Sequence, residues 1–169
     1  MASLPCIPLL AAIGISLGGC ASAPSIPGIS GEPLFYKKLD ASSAKVDAAA
    51  ARDMISIYRR KSGYSTLTID PALQKAAEEQ ALAMARADRM SHDVRGSLRS
   101  RLDGRLDHSA AVENISAGYH TLAEAFSGWR DSPSHNKNML NPAMRRMGIA
   151  TAYAPGSKYK VYWALVLTD

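Results

Sequence analysis

Two segments near the C-terminal end, MGIATAYA at residues 147–154 and YKVYWALVLT at residues 159–168, carry the strongest indication of the fold. Both are rich in β-branched and aromatic residues, and the PGSK run between them at 155–158 is typical of a turn. The sequence therefore predicts a β-hairpin. Side chains alternate between the two faces of a strand, and in the last segment both sets are apolar. One set is Tyr159, Val161, Trp163, Leu165 and Leu167, and the other is Tyr162, Ala164 and Val166.

A sheet that is apolar on both faces has to be covered on both sides, and helical patterns with start and stop signals precede the hairpin. The predicted elements are, in order, a helix from Asp47 to Gly63, a short strand over residues 67–69, a helix from Asp70 to about Arg89, a helix from Thr121 to Asp131 and a short helix from Ser132 to Leu140. We therefore expect an α+β fold, a three-layer α/β/α sandwich with a central antiparallel sheet.

Residues 94–111 are typical of a short amphipathic helix that ends near Gly104. This segment carries Arg95, Arg99, Arg101 and Arg105. The arginines could bind phosphate groups, but a solvated helix face is the expected arrangement. By contrast, Trp129, Met139, Ile149 and Trp163 are expected in the core.

The composition describes one domain with a basic surface. The 169 residues are 47% hydrophobic and 21% charged, which suffices for one packed core. A net charge of +5 favours anionic neighbours such as lipid headgroups or wall polymers. The sequence has no sustained heptads, glycine-rich phosphate loop or long Lys/Arg run, which argues against a coiled coil, a nucleotide enzyme or a strong nucleic-acid binder.

The N-terminal stretch is typical of an export signal, although no Lys or Arg precedes it. Residues 4–17 are apolar and uncharged and would span only about 21 Å as a helix, too short to cross a bilayer. The run Leu17-Gly18-Gly19-Cys20 resembles the lipobox of bacterial lipoproteins. That resemblance implies a signal peptide over residues 1–19, acyl chains such as palmitate on Cys20, and a membrane-anchored protein of the cell envelope. In a Gram-negative cell the expected location is the outer membrane, since Ala21 follows the cysteine.

A Pro-, Gly- and Ser-rich composition over residues 20–46 predicts a flexible linker. We expect the folded domain to occupy residues 47–169. With two cysteines only, Cys6 and Cys20, the domain cannot depend on a disulfide.

The candidate functional residues are two histidines and two glutamates spread over the middle of the chain. His92 follows Met90-Ser91, Glu113 precedes Asn114-Ile115, Glu124 stands in a capping box, and His135 ends the run Ser132-Pro133-Ser134-His135. Spacing alone allows these four side chains to converge, but each has an ordinary alternative. Glu124 could only cap its helix, for example, and His92 could only end one. Glu113 is the hardest to explain in this way, because a buried carboxylate needs a partner.

Together these motifs resemble the CAP superfamily of cysteine-rich secretory, antigen-five and pathogenesis-related proteins, in its cysteine-poor bacterial branch. The resemblance covers about residues 47–169. It implies an α/β/α sandwich whose central cleft is lined by His92, Glu113, Glu124 and His135. It also implies that His92 and His135 can hold a divalent metal, with zinc the preferred expectation.

Neutral imidazole is a good zinc ligand, and a nearby carboxylate can orient it. Two histidines alone hold a metal weakly, however, which counts against a dedicated metalloenzyme. Ser132 is expected to cap its helix, and without a nucleophile elbow a serine hydrolase is not expected. His108 and His120 are expected in loops or at the surface.

Three functional hypotheses remain open at this point. The first is a non-enzymatic module that binds a lipid, glycan or peptide, with an optional metal. The second is a metal-assisted protease or esterase with Glu113 or Glu124 as the base. The third is an envelope scaffold with an idle cleft.

Overall fold

The computed structural model describes residues 31–169, and residues 32–169 form one compact unit. The predicted signal peptide, Cys20 and the first part of the predicted linker lie outside the described residues. The elements, in order, are α1 (Ala48–Lys61), β1 (Thr68–Ile69), α2 (Pro71–Ala87), α3 (Leu98–Leu102), β2 (Ala111–Ala117), α4 (Leu122–Asp131), α5 (Pro133–Met139), β3 (Arg146–Tyr153) and β4 (Val161–Thr168). None of the helices within residues 31–169 combines the length and the hydropathy needed to span a membrane.

Side-chain caps mark where the longer helices begin. The Asp47 carboxylate accepts a hydrogen bond from the Ala50 N–H at 2.9 Å and starts α1. Asp70 caps α2 with Pro71 at its first position, and Thr121 and Glu124 form the predicted capping box of α4. These caps satisfy amide groups that have no partner inside the helix.

The sheet has four strands in the order β1-β3-β4-β2. β4 pairs antiparallel with β3 on one side and with β2 on the other, so the predicted hairpin and the antiparallel centre of the sheet are confirmed. β1 adds two residues in parallel pairing beside β3. The sequence predicts that segment as extended but not its parallel partner.

Helices cover both faces of the sheet, and every residue of β4 is buried. Val161, Trp163, Leu165 and Leu167 pack with α1, α4 and α5 on one face, whereas Tyr162, Ala164 and Val166 pack with α2 and α3 on the other. The predicted three-layer sandwich and the two faces of the last strand are therefore confirmed. The four predicted core residues, Trp129, Met139, Ile149 and Trp163, are all buried.

Arg59 holds α1 against the loop that follows α5. Its side chain is fully buried although it begins a basic run, and the guanidinium donates four hydrogen bonds of 2.6–2.9 Å. The acceptors are the carbonyl oxygens of Ser65, Met139, Asn141 and Met144. A planar fork of N–H groups is suited to several carbonyls at once, which a lysine could not satisfy.

The described end of the predicted linker packs against the domain. Leu39 is buried in the core, and its N–H donates to the His120 carbonyl at 2.8 Å. The Ala123 N–H donates to the Phe35 carbonyl at 2.9 Å. Residues 35–46 therefore differ from the flexible linker that their composition predicts, because Phe35 and Leu39 find apolar surface beside α4.

Candidate functional site

The centre of the candidate site is Glu113 on β2, whose side chain is only 2% exposed. Its Oε2 lies 2.7 Å from His92 Nδ1, and its Oε1 accepts a 2.9 Å hydrogen bond from Arg101 Nη2. An ionised carboxylate can only accept hydrogen bonds, so Nδ1 of His92 carries the proton. This leaves Nε2 of His92 with its lone pair. Glu113 thus has the partners that a buried carboxylate needs, a histidine and an arginine.

His92 stands in the turn after α2, and two buried side chains hold its backbone. Gln80 Nε2 donates to the Ser91 carbonyl at 2.9 Å and to the His92 carbonyl at 3.2 Å. Arg101 Nη2 also lies 3.4 Å from the His92 carbonyl. The imidazole itself is 53% exposed, so the backbone is fixed while the ring reaches solvent.

Arg101 corrects one expectation. The sequence predicts it on a solvated helix face with Arg95, Arg99 and Arg105, but its side chain is only 4% exposed. The buried charge of Glu113 accounts for this, because an isolated carboxylate at that position would be costly to desolvate. Amphipathic periodicity could not identify Arg101, because its partner stands on a strand 12 residues further along the chain.

His135 lies in α5, and its Nδ1 is 3.0 Å from the hydroxyl of Ser132. Ser132 occupies the N-cap position, but its side chain makes no capping hydrogen bond. The predicted capping role of this hydroxyl is therefore wrong, since the imidazole competes for it. Burial lowers the pKa of His135 below its ordinary value of 6.5, and charge on His92 lowers it further. His135 therefore favours its neutral form more than a free imidazole does.

Two asparagines join the strand of Glu113 to the helix of His135. Asn114 Nδ2 donates to the His135 carbonyl at 3.0 Å. Asn138 Nδ2 donates to Asn114 Oδ1 at 2.9 Å and to the Glu113 carbonyl at 3.2 Å. Asn114 follows Glu113 directly, and Asn138 lies within the helix predicted from Ser132 to Leu140, but the sequence pattern indicates no role for either asparagine. They fix β2 and α5 relative to each other and so set the separation of the two histidines.

Glu124 lies elsewhere. Its Oε2 accepts hydrogen bonds from the N–H groups of His120 at 2.6 Å and Thr121 at 3.0 Å, and its side chain is exposed. Within residues 31–169 it has no hydrogen bond to His92, Glu113 or His135. The structure therefore joins the side chain of His92 directly to Glu113 and links the helix of His135 to the same strand through Asn114, whereas Glu124 makes capping contacts. His108 and His120, both expected outside the site, contact Leu106 and Asp40 instead.

The donor chemistry at His92 and His135 fits a weak divalent-metal site. Each ring uses Nδ1 within the protein, on Glu113 or Ser132, and has no partner at Nε2 among the described residues. A carboxylate behind a metal-binding imidazole is a common arrangement because it fixes the tautomer. In the described part of the chain, no three His, Cys, Asp or Glu side chains form a metal-binding group. A metal held here would have only His92 and His135 as protein ligands, and water or a bound ligand would have to complete its coordination sphere.

The family of the chain follows from comparison with known sequences. A profile of the CAP family, the cysteine-rich secretory protein family, matches residues 52–167, which is more than half of the chain. The chain belongs to the CAP family. The resemblance predicted from the His92, Glu113 and His135 motifs is confirmed.

Relatives of this CAP chain occur in several bacteria. The uncharacterized membrane protein YlbC of Bacillus subtilis is 30% identical over 117 residues, which are 68% of this chain and 33% of YlbC. The crystal structure of an extracellular SCP-domain protein from Bacillus anthracis matches with a TM-score of 0.63 and 25% identity, over 72% of this chain and 40% of that one. An outer surface protein of Borrelia burgdorferi has the same fold, with a TM-score of 0.63 and 20% identity over 74% of this chain and 96% of that one. The chain thus spans about a third of YlbC and two fifths of the Bacillus anthracis chain.

Proposed function

We propose that this CAP chain is a ligand-binding module of the cell envelope that works outside the cytoplasm. Proteins similar to it are described as extracellular, outer-surface or membrane proteins, which supports this location. Acylation of Cys20 would anchor the module to a membrane, in the outer membrane if the cell has one. Several acyl chains hold a protein durably where one chain does not.

The binding site of the proposal is the cleft of His92, Glu113 and His135. The observation that carries the proposal is that both imidazole rings are hydrogen-bonded to the protein through Nδ1. Nε2 of each ring is therefore left for a ligand. A divalent cation such as Zn²⁺ on both Nε2 atoms would keep open positions. A lipid headgroup, a glycan or a peptide with oxygen donors could complete them.

The contacts of the two glutamates favour binding over catalysis. A metal-assisted hydrolase needs a general base within reach of a water or substrate proton. Both carboxylate oxygens of Glu113 already accept charge-assisted hydrogen bonds, from Arg101 and His92. Glu124 is engaged at the start of α4. Neither glutamate is therefore arranged as a base, and hydrolysis is the weaker alternative.

Zinc titration by calorimetry tests the proposal on the full chain. We expect wild-type protein to bind Zn²⁺ and both His92→Ala and His135→Ala to weaken binding by about tenfold or more. His108→Ala is the matched control, since it removes an imidazole outside the cleft and should leave affinity unchanged. Binding should also be weaker at pH 6 than at pH 8, because protonated imidazole cannot coordinate a metal.

Equal zinc affinity in wild type and in both cleft variants would contradict the metal site. Zinc-dependent cleavage of a peptide or ester that is lost in His92→Ala would instead support the hydrolase. A chain that takes up neither metal nor envelope ligand would be the scaffold with an idle cleft.

A further inference from the structure

The outer edge of β3, on the side away from β4, is paired along only part of its length. At its start β1 forms two rungs, in which the Thr68 N–H donates to the Arg145 carbonyl and the Asp70 N–H donates to the Met147 carbonyl, both at 2.9 Å. The carbonyls of residues 145 and 147 therefore face this edge. Because backbone groups of a strand alternate in direction, every second residue after Met147 faces the same way.

At the next rung a side chain takes the place of a strand. β1 has ended, but Gln74 Nε2 donates to the Ile149 carbonyl at 2.9 Å, and Gln74 Oε1 accepts from the Ile149 N–H at 3.1 Å. A primary amide carries one acceptor and donors in the same plane, as a peptide group does. Gln74 thus acts as a single peptide unit of a neighbouring strand.

Thr151 and Tyr153 form the following two rungs. Their N–H and C=O groups face outward with Ile149, while the groups of the intervening residues face β4, with which β3 is in register up to Tyr153. Within residues 31–169 no hydrogen bond reaches the N–H of Thr151 or Tyr153 from this side. The one contact here, from the Val46 N–H to Thr151 Oγ1 at 3.2 Å, uses the side chain.

These two rungs lie at the bottom of a groove between two walls. We call this groove, bounded by residues 42–46, by Gln74, Glu78 and Leu82 of α2, and by residues 150–153, the edge slot. Its volume is about 460 Å³. Leu82 is 42% exposed on one wall, and Val46 lies on the other. Exposed strand edges are commonly protected by charges, prolines or bulges. Here Lys45 and Glu78 supply charges beside the edge, and Val46 and Leu82 supply apolar surface.

We propose that the edge slot binds an extended peptide segment, which adds a short strand to β3 at Thr151 and Tyr153. The outward-facing backbone N–H and C=O groups of Thr151 and Tyr153 favour a peptide as the occupant. Two backbone donor and acceptor pairs, two residues apart on one strand, match alternate residues of another extended backbone. A lipid chain offers them no partner. One apolar side chain of the peptide would lie between Val46 and Leu82, and Lys45 and Glu78 at the rim would contact its polar groups. This site is separate from the cleft of His92 and does not depend on its function.

Residue-resolved hydrogen exchange of the full chain tests the slot with a defined probe, the pentapeptide acetyl-TVTVT-amide at millimolar concentration. In the free protein the amides of Thr151 and Tyr153 should exchange quickly, while those of Ala150 and Ala152 are protected. The probe should slow exchange at Thr151 and Tyr153 by about tenfold. N-methylation of one alternate set of probe residues should abolish this effect, and methylation of the other set should not.

Two variants separate backbone pairing from side-chain contact. Tyr153→Pro removes the outward N–H at a strand end, where proline is tolerated, and Tyr153→Ala removes the same ring but keeps the N–H. Binding of the pentapeptide should be roughly three- to tenfold weaker in the proline variant than in the alanine variant. Thermal unfolding of both variants checks that they are folded.

Three results would overturn the peptide site. Equal affinity of the two Tyr153 variants for the pentapeptide would show that the Tyr153 N–H group does not bind the peptide. Unchanged amide exchange at Thr151 and Tyr153 with saturating pentapeptide would show that the peptide does not pair with these two residues. Protection of these amides in the free protein would mean that the slot is already filled, by a second copy if the protection is lost on dilution and by this chain itself if it persists.

Discussion

At the scale of single residues, Arg101 matters most because it supports the charge on which the cleft is built. Glu113 is almost fully buried, and Arg101 and His92 are its hydrogen-bond partners in the described chain. Only Arg101 brings a permanent positive charge. The guanidinium therefore pairs with the buried carboxylate of Glu113, and the same carboxylate accepts the Nδ1 hydrogen of His92. A residue outside the cleft motifs thus supports the carboxylate that holds His92.

We expect Arg101→Met to lower the free energy of unfolding by about 3 kcal/mol or more, because it leaves a buried carboxylate without its counter-charge. Urea unfolding measures this effect. Adding Glu113→Gln removes the stranded charge while keeping an acceptor for His92, so the double variant should be more stable than Arg101→Met alone. Arg99→Met, on the exposed part of α3, serves as the control and should change stability little. If Arg101→Met and Arg99→Met behaved alike, the assigned role of the ion pair would be wrong.

At the scale of elements, the backbones of β3 and the start of α2 approach each other closely at Gly148. A Cβ built on Gly148 would lie 2.2 Å from the carbonyl carbon of Leu73 and 2.3 Å from the nitrogen of Gln74. Both are backbone atoms of a helix, so they cannot move aside as a flexible side chain could. The glycine is therefore required by packing rather than by backbone conformation. The same approach brings Gln74 to the edge of β3, where its amide pairs with Ile149.

Gly148→Ala should destabilise the protein by about 1–3 kcal/mol through forced separation of α2 from the sheet. Gly156→Ala is the matched control, since no heavy atom lies within 4 Å of the added methyl group in the turn between β3 and β4. We expect that control to stay within about 0.5 kcal/mol of wild type. Urea unfolding of the two variants measures the difference in their free energies of unfolding. Similar stability for both would mean that α2 can shift without cost.

At the scale of the whole molecule, charge pairs between elements make stability depend on pH. Hydrogen bonds from Arg105 and Arg95 lower the pKa of Glu79 from 4.5 to about 2. They link α2 to the segments before and after α3 at 2.6–2.8 Å. Because the unfolded carboxyl binds protons more readily than the folded one, this contribution is complete above the unfolded pKa. It is lost as the pH falls from about 4.5 towards 2.

Glu79→Gln should therefore lower the unfolding temperature at neutral pH more than at pH 3, so that the fall of unfolding temperature between pH 5 and pH 3 is smaller than in wild type. The neighbouring Glu78→Gln is the control, because Glu78 is exposed on the same helix. Its pH profile should follow that of wild type. A Glu79→Gln profile that also follows wild type would show that the two arginines do not stabilise the ionised form of Glu79.

Much of the fold depends on information that lies within a few residues. Asp47, Asp70 and Thr121 cap helices through amides two or three positions further along the chain, so their roles can be predicted from the sequence. The two apolar faces of β4 follow from the alternation of side chains in one strand. The family motifs also allowed His92, Glu113 and His135 to be chosen as candidate site residues.

Only the tertiary structure decided how distant polar groups pair. It turned Arg101 of α3 towards Glu113 of β2, and Gln74 of α2 towards Ile149 of β3. The physical reason is that the free energy of a buried polar group depends on which partner the packing of other elements brings within about 3 Å. Periodicity and capping describe a residue and its neighbours along the chain, whereas that partner belongs to a different helix or strand.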